Sequence, residues 1–219
     1  MKSTLLNMVS VLAGICLVAS ACVGAVNMIT EKPIELSKKN ATEKAVSDVL
    51  SGIDFDEITE ADSLLKKDAL SVIVYRAKKG NEVAAYAVKA PSLTKDGFNG
   101  KVTLMVGYTL DGVVNNVAVV EQNETPGLGT KMTEPNNSLY CSVVGKNTLE
   151  QRQNGTLTVT KDGGEVEALT AATISSRAYV NAMEAANAGF ILAQKADSAA
   201  VDAEQTIEQE DAQEGGENE

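Results

Sequence analysis

Four hydroxyl side chains lie close together in the sequence, just before a run of residues that favours a helix. They are Thr170, Thr173, Ser175 and Ser176. Side-chain oxygens at such a place accept hydrogen bonds from the unpaired backbone N–H groups of the first helical turn. The same N–H groups and the helix dipole attract anions, phosphate in particular. The cluster therefore indicates a helix N-terminus that is either an ordinary cap or a phosphate-binding site.

A second segment with chemical potential is the loop 122–132, which reads Gln-Asn-Glu-Thr-Pro-Gly-Leu-Gly-Thr-Lys-Met. Its Pro-Gly step is typical of an ordinary turn. Gly127 and Gly129 stand on either side of Leu128, and two glycines so placed let a flat ligand approach the backbone closely. The loop is thus either a plain turn or one wall of a ligand site.

The absence of histidine and the small number of cysteines limit the catalytic and metal-binding chemistry that the chain can perform. The sequence contains no histidine, which excludes histidine-based triads, general bases and metal ligands. Of three cysteines, Cys16 and Cys22 lie in an apolar N-terminal stretch, so that only Cys141 lies in the body of the chain. One thiol makes neither an internal disulfide nor a cysteine-rich metal site. We therefore expect no catalytic side chain and no metal site, and we expect any chemistry to belong to a bound cofactor.

The formal charge of −11 comes largely from the C-terminal tail, where residues 197–219 hold nine acidic and no basic side chains. Aromatic residues make up 4% of the chain and no basic stripe is present, which excludes nucleic-acid binding. With 44% hydrophobic residues, a chain of 219 residues suits one packed domain with extensions. The tail has too little apolar content to fold alone, and we predict that it is disordered.

The N-terminal stretch has no charged residue between Lys2 and Glu31. Its length exceeds the ~20 residues that span a hydrocarbon core, whereas the apolar part of a cleaved signal peptide is usually ~7–15 residues long. A lipoprotein signal ending at Cys22 is a third interpretation, although Ala19-Ser20-Ala21-Cys22 lacks the usual Leu three residues before the Cys. We favour a retained single-pass anchor, with residues 4–30 in the lipid bilayer.

The elements that position the two candidate segments follow from hydrophobic patterning. Strand-like runs lie at residues 70–77, 82–90, 101–110 and 113–121. Asp111-Gly112 between the last two is the strongest hairpin signal in the chain. Short connections of this kind favour antiparallel pairing. A further strand is predicted at 155–160, before the hydroxyl cluster.

The helix after Ser175 has apolar residues at spacings of four, three and four, which form one buried face. These residues are Tyr179, Met183, Ala186 and Phe190. We predict an α+β fold, in which an N-terminal transmembrane helix precedes a mainly antiparallel sheet flanked by helices. The predicted organisation is a membrane anchor (1–30), a helical connector (31–70), a globular domain (71–195) and the disordered acidic tail (196–219).

Two of these segments match the patterns of a known family. Residues 167–173, Glu-Ala-Leu-Thr-Ala-Ala-Thr, resemble the acidic-x-x-Ser/Thr-Gly-Ala-Thr signature of domains that carry FMN covalently through a threonine phosphoester. Residues 124–129, Glu-Thr-Pro-Gly-Leu-Gly, resemble the second characteristic loop of the same FMN-binding family. Over about residues 4–195 the order of elements resembles the G-subunit family of the Rnf-type ion-translocating electron transport complex. It is similar, less closely, to the C subunit of the sodium-translocating NADH:quinone reductase.

This resemblance implies an FMN-binding domain over 71–195, with FMN joined from its phosphate to the Thr173 oxygen. Further cofactor-binding residues are expected around it. They are Thr170, Ala172, Ser175, Glu124, Thr125, Gly127, Leu128, Gly129 and Lys131. Leu128 is expected to cover a face of the isoalloxazine ring, and Lys131 to tune the flavin potential together with backbone N–H groups of the loop.

Three residues depart from the family pattern. Ala171 stands in place of glycine, Glu167 in place of the usual Asp, and Asn123 in place of a His that often precedes the Glu-Thr. Alanine adds one methyl group and does not adopt a left-handed backbone at low cost. We expect the change at Ala171 to weaken recognition by the flavin transferase that attaches FMN in this family.

The function implied by the resemblance is the relay of electrons through covalent FMN in a bacterial ion-translocating ferredoxin:NAD oxidoreductase. The implied partners are membrane and iron–sulfur subunits, the flavin transferase and the bilayer, with the soluble domain on the extracytoplasmic side of the inner membrane. Two alternatives stay open. One is an FMN-carrying subunit of another membrane reductase, such as a sodium-translocating NADH:quinone reductase. The other is a non-enzymatic, anchored or lipidated binding module.

Overall fold

A computed structural model describes residues 2–60, 65–67, 70–92 and 100–214. Contacts divide the chain into two compact units, Met1–Glu43 and Lys44–Glu219. The first unit is helical, and the second contains a sheet, the helices that cover it and the candidate site. The domain boundaries assigned from the sequence at residues 30, 70 and 195 stay predictions.

The first helix, α1 (Lys2–Val49), begins in the apolar N-terminal stretch and has Pro33 inside it. An 18-residue window within Leu6–Val49 reaches a mean hydropathy of 2.4, and none of that window is buried. Exposed apolar side chains over such a length suit the hydrocarbon core of a bilayer. By length and composition the helix is able to cross a membrane, a property that signal sequences near an N-terminus share.

The described strands form an antiparallel sheet, as predicted. Five of them lie in the order β1-β3-β4-β5-β6, and the sixth, β2, pairs with β3. Their bounds are β1 Glu57–Glu60, β2 Leu65–Lys67, β3 Leu70–Lys79, β4 Glu82–Pro91, β5 Thr103–Thr109 and β6 Val114–Glu121. The four predicted strands are thus confirmed to within about two residues at each end.

Within the segment 31–70, predicted as a helical connector, the described residues are helical only as far as Val49, and residues 61–64 and 68–69 lie outside the described part of the chain. Strands β1 and β2 occupy part of its second half, and Ile58 of β1 lies opposite Ala77 of β3. Four- and three-residue strands are too short to show a period in the sequence. Their conformation comes from pairing with the longer β3, so that tertiary contact decides it.

The Asp111-Gly112 hairpin is confirmed. Gly112 has φ +79° and its N–H donates to the carbonyl of Thr109 at 3.0 Å, which closes the turn between β5 and β6. The strand predicted at 155–160 is wrong. The chain there makes only an isolated bridge between Val159 and Val166 and then a 3₁₀ turn, Thr160–Asp162. A bridge between a single pair of residues does not make a strand.

Two short helices, α2 (Ser138–Val143) and α3 (Thr148–Gln153), lie in the polar region after β6. Each is capped by an asparagine: Asn137 Oδ1 accepts from the N–H of Tyr140, and Asn147 Oδ1 accepts from that of Leu149. Helices of six residues have little intrinsic stability, so packing and caps maintain them. Buried Asn187 of the last helix supports α3 by accepting a hydrogen bond from Thr148 Oγ1 at 2.8 Å.

The last helix, α4 (Thr173–Glu214), packs on one face of the sheet. Its predicted apolar face is confirmed, because all four residues of that face are buried. Phe190 stacks on Tyr108 of β5 with ring centroids 4.8 Å apart and meets Tyr86 of β4 edge-on at 5.3 Å. This aromatic cluster fixes α4 on the sheet and thereby positions its N-terminus.

The opposite face of the sheet is covered by the C-terminal end of α1. There Val46, Val49 and Leu50 pack on small side chains of the strands, including Ala85 and Ala87. Gly107 of β5 allows the closest approach, because a Cβ on it would overlap the carbonyl oxygen of Val49. That same oxygen accepts a hydrogen bond from Asn115 Nδ2 at 2.8 Å. The end of α1 is therefore in direct contact with the backbone of the central sheet.

In the segment 196–219, predicted to be disordered, the structure has helix as far as Glu214. Asp197 Oδ2 accepts from Tyr86 Oη at 2.7 Å and from Arg76 Nε at 2.8 Å. Burial, with the bond to Asp197, raises the pKa of Tyr86 above its ordinary value. Low apolar content opposes packing but not helix formation, since alanine and glutamate both favour helices.

Candidate functional site

The structure brings the hydroxyl cluster and the Pro-Gly-Leu-Gly loop together at one cleft. The cleft has a volume of about 320 Å³. It is lined by Thr125, Leu128, Gly129, Ala171, Ala172, Thr173, Ile174 and Ser175. Six of these eight residues belong to the predicted cofactor-binding set, so two segments about 45 residues apart in sequence form one surface.

A buried hydrogen bond joins the two sides of the cleft. Ser175 Oγ donates to Glu124 Oε2 at 2.8 Å, and both side chains are buried. Gly129 lies against this pair: a Cβ on it would be 2.6 Å from Ser175 Oγ and 2.7 Å from Glu124 Cβ. Glycine is therefore required here for close approach between the loop and the start of α4.

The loop itself is a compact turn. The Thr125 carbonyl accepts from the N–H of Leu128 at 3.1 Å, and Thr130 Oγ1 accepts from the N–H of Gly127 at 2.9 Å. Gly127 has φ +75°, which glycine adopts without strain. A 3₁₀ helix, Gly129–Thr133, follows. The turn leaves Leu128 on the outside, 40% exposed, although it is a large apolar side chain.

Helix α4 begins at Thr173, two residues before the position predicted from the sequence. Ser176 stabilises this start: its Oγ accepts from the N–H of Leu169 at 3.0 Å and donates to the carbonyl of Ala172 at 2.9 Å. Thr173 is partly exposed at the beginning of the first turn. Its hydroxyl is thus accessible beside the N–H groups that have no partner within the helix.

Ala171 adopts a left-handed backbone, with φ +61°, two residues before the start of α4. This position is the one at which the family signature has glycine. The methyl group therefore does not prevent the left-handed turn; the chain keeps the turn and carries the strain. For a residue with a Cβ that conformation costs roughly 1–2 kcal/mol.

Replacing Ala171 with glycine is expected to raise the free energy of unfolding by about 1 kcal/mol, because glycine relieves the left-handed strain at some cost in unfolded-state entropy. Thermal or urea unfolding of the full chain in detergent measures the change. Ala172→Gly is the matched control, since Ala172 is buried next to it and has no positive φ. That control is expected to lose stability, and a loss in Ala171→Gly as well would contradict the prediction.

Lys161 contacts the hydroxyl of Thr173, although no sequence pattern singled this lysine out. Lys161 Nζ donates to Thr173 Oγ1 at 2.8 Å. Its neighbour Asp162 is held by Arg177 of α4 through two bonds of 2.8 Å. The hydrogen bond from Arg177 holds the pKa of the Asp162 carboxyl below its usual value. No local motif marks Lys161, because the contact exists only when the 160–162 turn packs beside α4.

Four members of the predicted set do not line the cleft. Thr170 and Lys131 are exposed, Gly127 shapes the turn, and Glu124 is buried behind the lining in its bond with Ser175. Ile174, which patterning did not single out, does line the cleft and is 46% exposed. Together with Leu128 it places two exposed apolar side chains beside the Thr173 hydroxyl, an arrangement suited to a ligand with an apolar ring and a phosphate.

Comparison with known proteins agrees with this chemistry. Residues 97–188 match the model of a family described as the FMN-binding domain. The matched range includes the loop, the 160–162 turn and the start of α4 as far as residue 188, so every residue of the cleft falls within it.

Relatives cover the chain more fully. A protein of Shewanella baltica, named as the G subunit of an ion-translocating oxidoreductase complex, is 32% identical over 84% of this chain and 88% of its own length. The protein of the same name from Shewanella oneidensis is 32% identical over 80% of this chain and 84% of its own. This chain belongs to the G-subunit family of ion-translocating oxidoreductase complexes. In Photorhabdus laumondii a member is 38% identical over 111 residues, about half of each chain.

Membership of the G-subunit family confirms the resemblance read from the two motifs. The α+β fold with an N-terminal apolar helix and an antiparallel sheet is confirmed as well. The individual roles of the cleft residues remain predictions.

Proposed function

We propose that this protein is a membrane-anchored electron-transfer subunit that carries FMN in an ion-translocating oxidoreductase complex. The cleft carries the proposal, because it joins the Thr173 hydroxyl at a helix N-terminus to a glycine loop with exposed apolar side chains. The FMN-binding domain and the relatives in the G-subunit family support it. FMN, when bound, supplies electron transfer, and no acid–base side chain of the protein is needed for it.

The residues of the cleft fit FMN in both of its parts. The phosphate suits Thr173, where a helix N-terminus and the ammonium group of Lys161 favour negative charge. Leu128 and Ile174 are apolar enough to cover a ring, and Gly129 lines the cleft beside them. At about 320 Å³ the cleft lies at the small end of ligand pockets, which span ~300–1,000 Å³.

We infer a covalent link between the FMN phosphate and Thr173 Oγ1. A small, open cleft gives limited noncovalent affinity, and affinity for a redox cofactor changes with its oxidation state. A phosphoester to Thr173 retains the cofactor in every state. A flavin transferase is then required as a partner, and the Thr170, Ser175 and Lys131 side chains remain proposed contributors through hydrogen bonds and charge.

The proposed role is a fixed redox station and not independent turnover. Electrons pass between membrane and iron–sulfur subunits of a complex that couples ferredoxin and NAD to ion movement. Helix α1 holds the protein in the bacterial inner membrane as a single pass, with residues 44–214 on the extracytoplasmic side. The length and composition of α1 support the anchor.

In-gel flavin fluorescence after denaturation tests covalent FMN directly. The full chain is produced with and without a flavin transferase, and intact-mass spectrometry accompanies the gel. We expect fluorescence and an FMN-sized mass increase only when the transferase is present. A colourless protein with unchanged mass in both preparations would favour the binding-module alternative.

Sidedness is tested separately by protease accessibility. A protease added to cells with a permeabilised outer membrane is expected to digest the sheet domain, while a cytoplasmic control protein stays intact. Protection of the sheet domain until the inner membrane is disrupted would place it on the cytoplasmic side and contradict the proposed orientation.

A further inference from the structure

Lys161 makes a direct contact with the oxygen that is proposed to receive the flavin. Its Nζ lies 2.8 Å from Thr173 Oγ1, with the lysine as donor and the hydroxyl oxygen as acceptor. Because the ammonium group occupies one lone pair of the oxygen, the hydroxyl proton points elsewhere and a second lone pair stays open. The hydroxyl oxygen thus has a charged donor on one side before any cofactor arrives.

The turn that carries Lys161 is fixed to α4 at a second point. Asp162 receives two hydrogen bonds of 2.8 Å from Arg177, which lies one helical turn after Thr173. Bidentate pairs of this kind specify geometry as well as charge. Lys161 and Asp162, which are adjacent in the 160–162 turn, therefore contact Thr173 and Arg177, which lie one helical turn apart on α4.

The turn is also rigid within itself. Gly163 ends it in a left-handed conformation with φ +89°. Gly164 packs so tightly that a Cβ on it would overlap the carbonyl oxygen of Thr158. The carbonyl of Val166 accepts from the N–H of Thr160 at 2.9 Å and closes the loop. We therefore expect the backbone of Lys161 to stay in place when the Thr173 hydroxyl becomes a phosphate ester.

The distribution of charge leaves the lysine available for an anion. Arg177 neutralises the Asp162 carboxylate through the bidentate pair, while the ammonium group of Lys161 faces a neutral hydroxyl. An exposed lysine gains little stability from one hydrogen bond, since ordering its long side chain costs entropy. The arrangement is better suited to a hydroxyl that becomes a phosphate ester.

We propose that Lys161 is the positioning residue for attachment of the flavin phosphate to Thr173, and that it then pairs with the phosphodiester that forms. This inference rests on the proposed function, in which Thr173 carries FMN. Lys161 orients the acceptor oxygen and neutralises negative charge that gathers on the phosphate oxygens during transfer.

The transfer requires a donor in which FMN is held through a phosphoanhydride bond, such as FAD, bound by the transferase. A bond forms between Thr173 Oγ1 and the FMN phosphorus, and the pyrophosphate bond to the AMP group breaks. AMP leaves with the bonding electron pair, and the hydroxyl proton passes to a base of the transferase. No electron is gained or lost by the flavin in this step.

The experiment measures initial rates of flavin attachment to the full chain in detergent, with purified transferase and FAD, by intact-mass spectrometry. The variants are Lys161→Met, which keeps length but removes charge, and Lys161→Arg, which keeps charge. Lys146→Met is the matched control, because Lys146 is another exposed lysine and lies outside the cleft lining. Thermal unfolding of each variant verifies the fold.

We expect Lys161→Met to lower the kcat of attachment by about 10- to 100-fold, as for loss of a hydrogen bond from a charged donor. The KM for the acceptor chain should stay unchanged, Lys161→Arg should recover part of the rate, and Lys146→Met should match wild type. A wild-type rate in Lys161→Met, or a change confined to KM, would overturn the proposal. Failure of wild type to gain FMN would instead refute the proposed function.

Discussion

Replacing Thr173 with alanine is expected to abolish covalent flavin completely while leaving the protein folded. Thr173 is the residue of the cleft whose hydroxyl is both accessible and oriented by a charged donor, Lys161 Nζ at 2.8 Å. Ser175 and Ser176 have their hydroxyls committed to Glu124 and to the backbone, so that neither replaces it. The measurement is in-gel flavin fluorescence and intact mass after production with a flavin transferase.

Two controls separate the loss of an attachment site from a loss of structure. Thr173→Ser retains a hydroxyl at the same place and is expected to keep some of the adduct. Thr160→Ala changes another exposed threonine, outside the cleft lining, and is expected to be flavinylated like wild type. Survival of the full adduct in Thr173→Ala would assign the linkage to a different side chain.

Replacing Gly107 with alanine is expected to lower the free energy of unfolding by about 3 kcal/mol. The new Cβ would overlap the carbonyl oxygen of Val49 and lie 2.8 Å from its carbonyl carbon. Main-chain atoms at the end of α1 cannot rotate away as a side chain does, so the helix end has to leave the sheet. Val49 and its bond from Asn115 would then lose their buried environment.

Urea or thermal unfolding in detergent measures this effect, and hydrogen exchange of the 44–50 backbone locates it. Because the overlap is with the backbone of Val49, adding Val49→Ala to Gly107→Ala is not expected to restore stability. Recovery of stability in that double variant, or a cost below about 0.5 kcal/mol for Gly107→Ala, would contradict the packing described for this face.

Much of the fold was predictable because its signals are local. Alternating apolar residues predicted the four long strands, and Asp111-Gly112 predicted the turn between β5 and β6. The spacing of Tyr179 and Phe190 predicted the buried face of α4. Strands β1 and β2 were not predictable in this way, because three or four residues show no period and their partner β3 decides their conformation.

The candidate site likewise has features that local sequence patterns predict and features that only tertiary contacts decide. The sequence by itself determined which two segments carry chemistry, because helix-start hydroxyls and closely spaced glycines are patterns of neighbouring residues. It also determined that the domain has no histidine chemistry. Those patterns resemble the FMN-binding family in sequence alone, and the matched range 97–188 agrees with them.

Only the tertiary structure decided which residues meet. The Ser175–Glu124 bond joins positions 51 residues apart, and the Lys161–Thr173 bond depends on how the 160–162 turn packs on α4. The backbone of Ala171 is likewise left-handed despite its methyl group, because the surrounding cleft outweighs the residue's own preference. Local patterns report the conformation of neighbours, whereas the orientation of a reactive hydroxyl is set by atoms that folding brings from elsewhere in the chain.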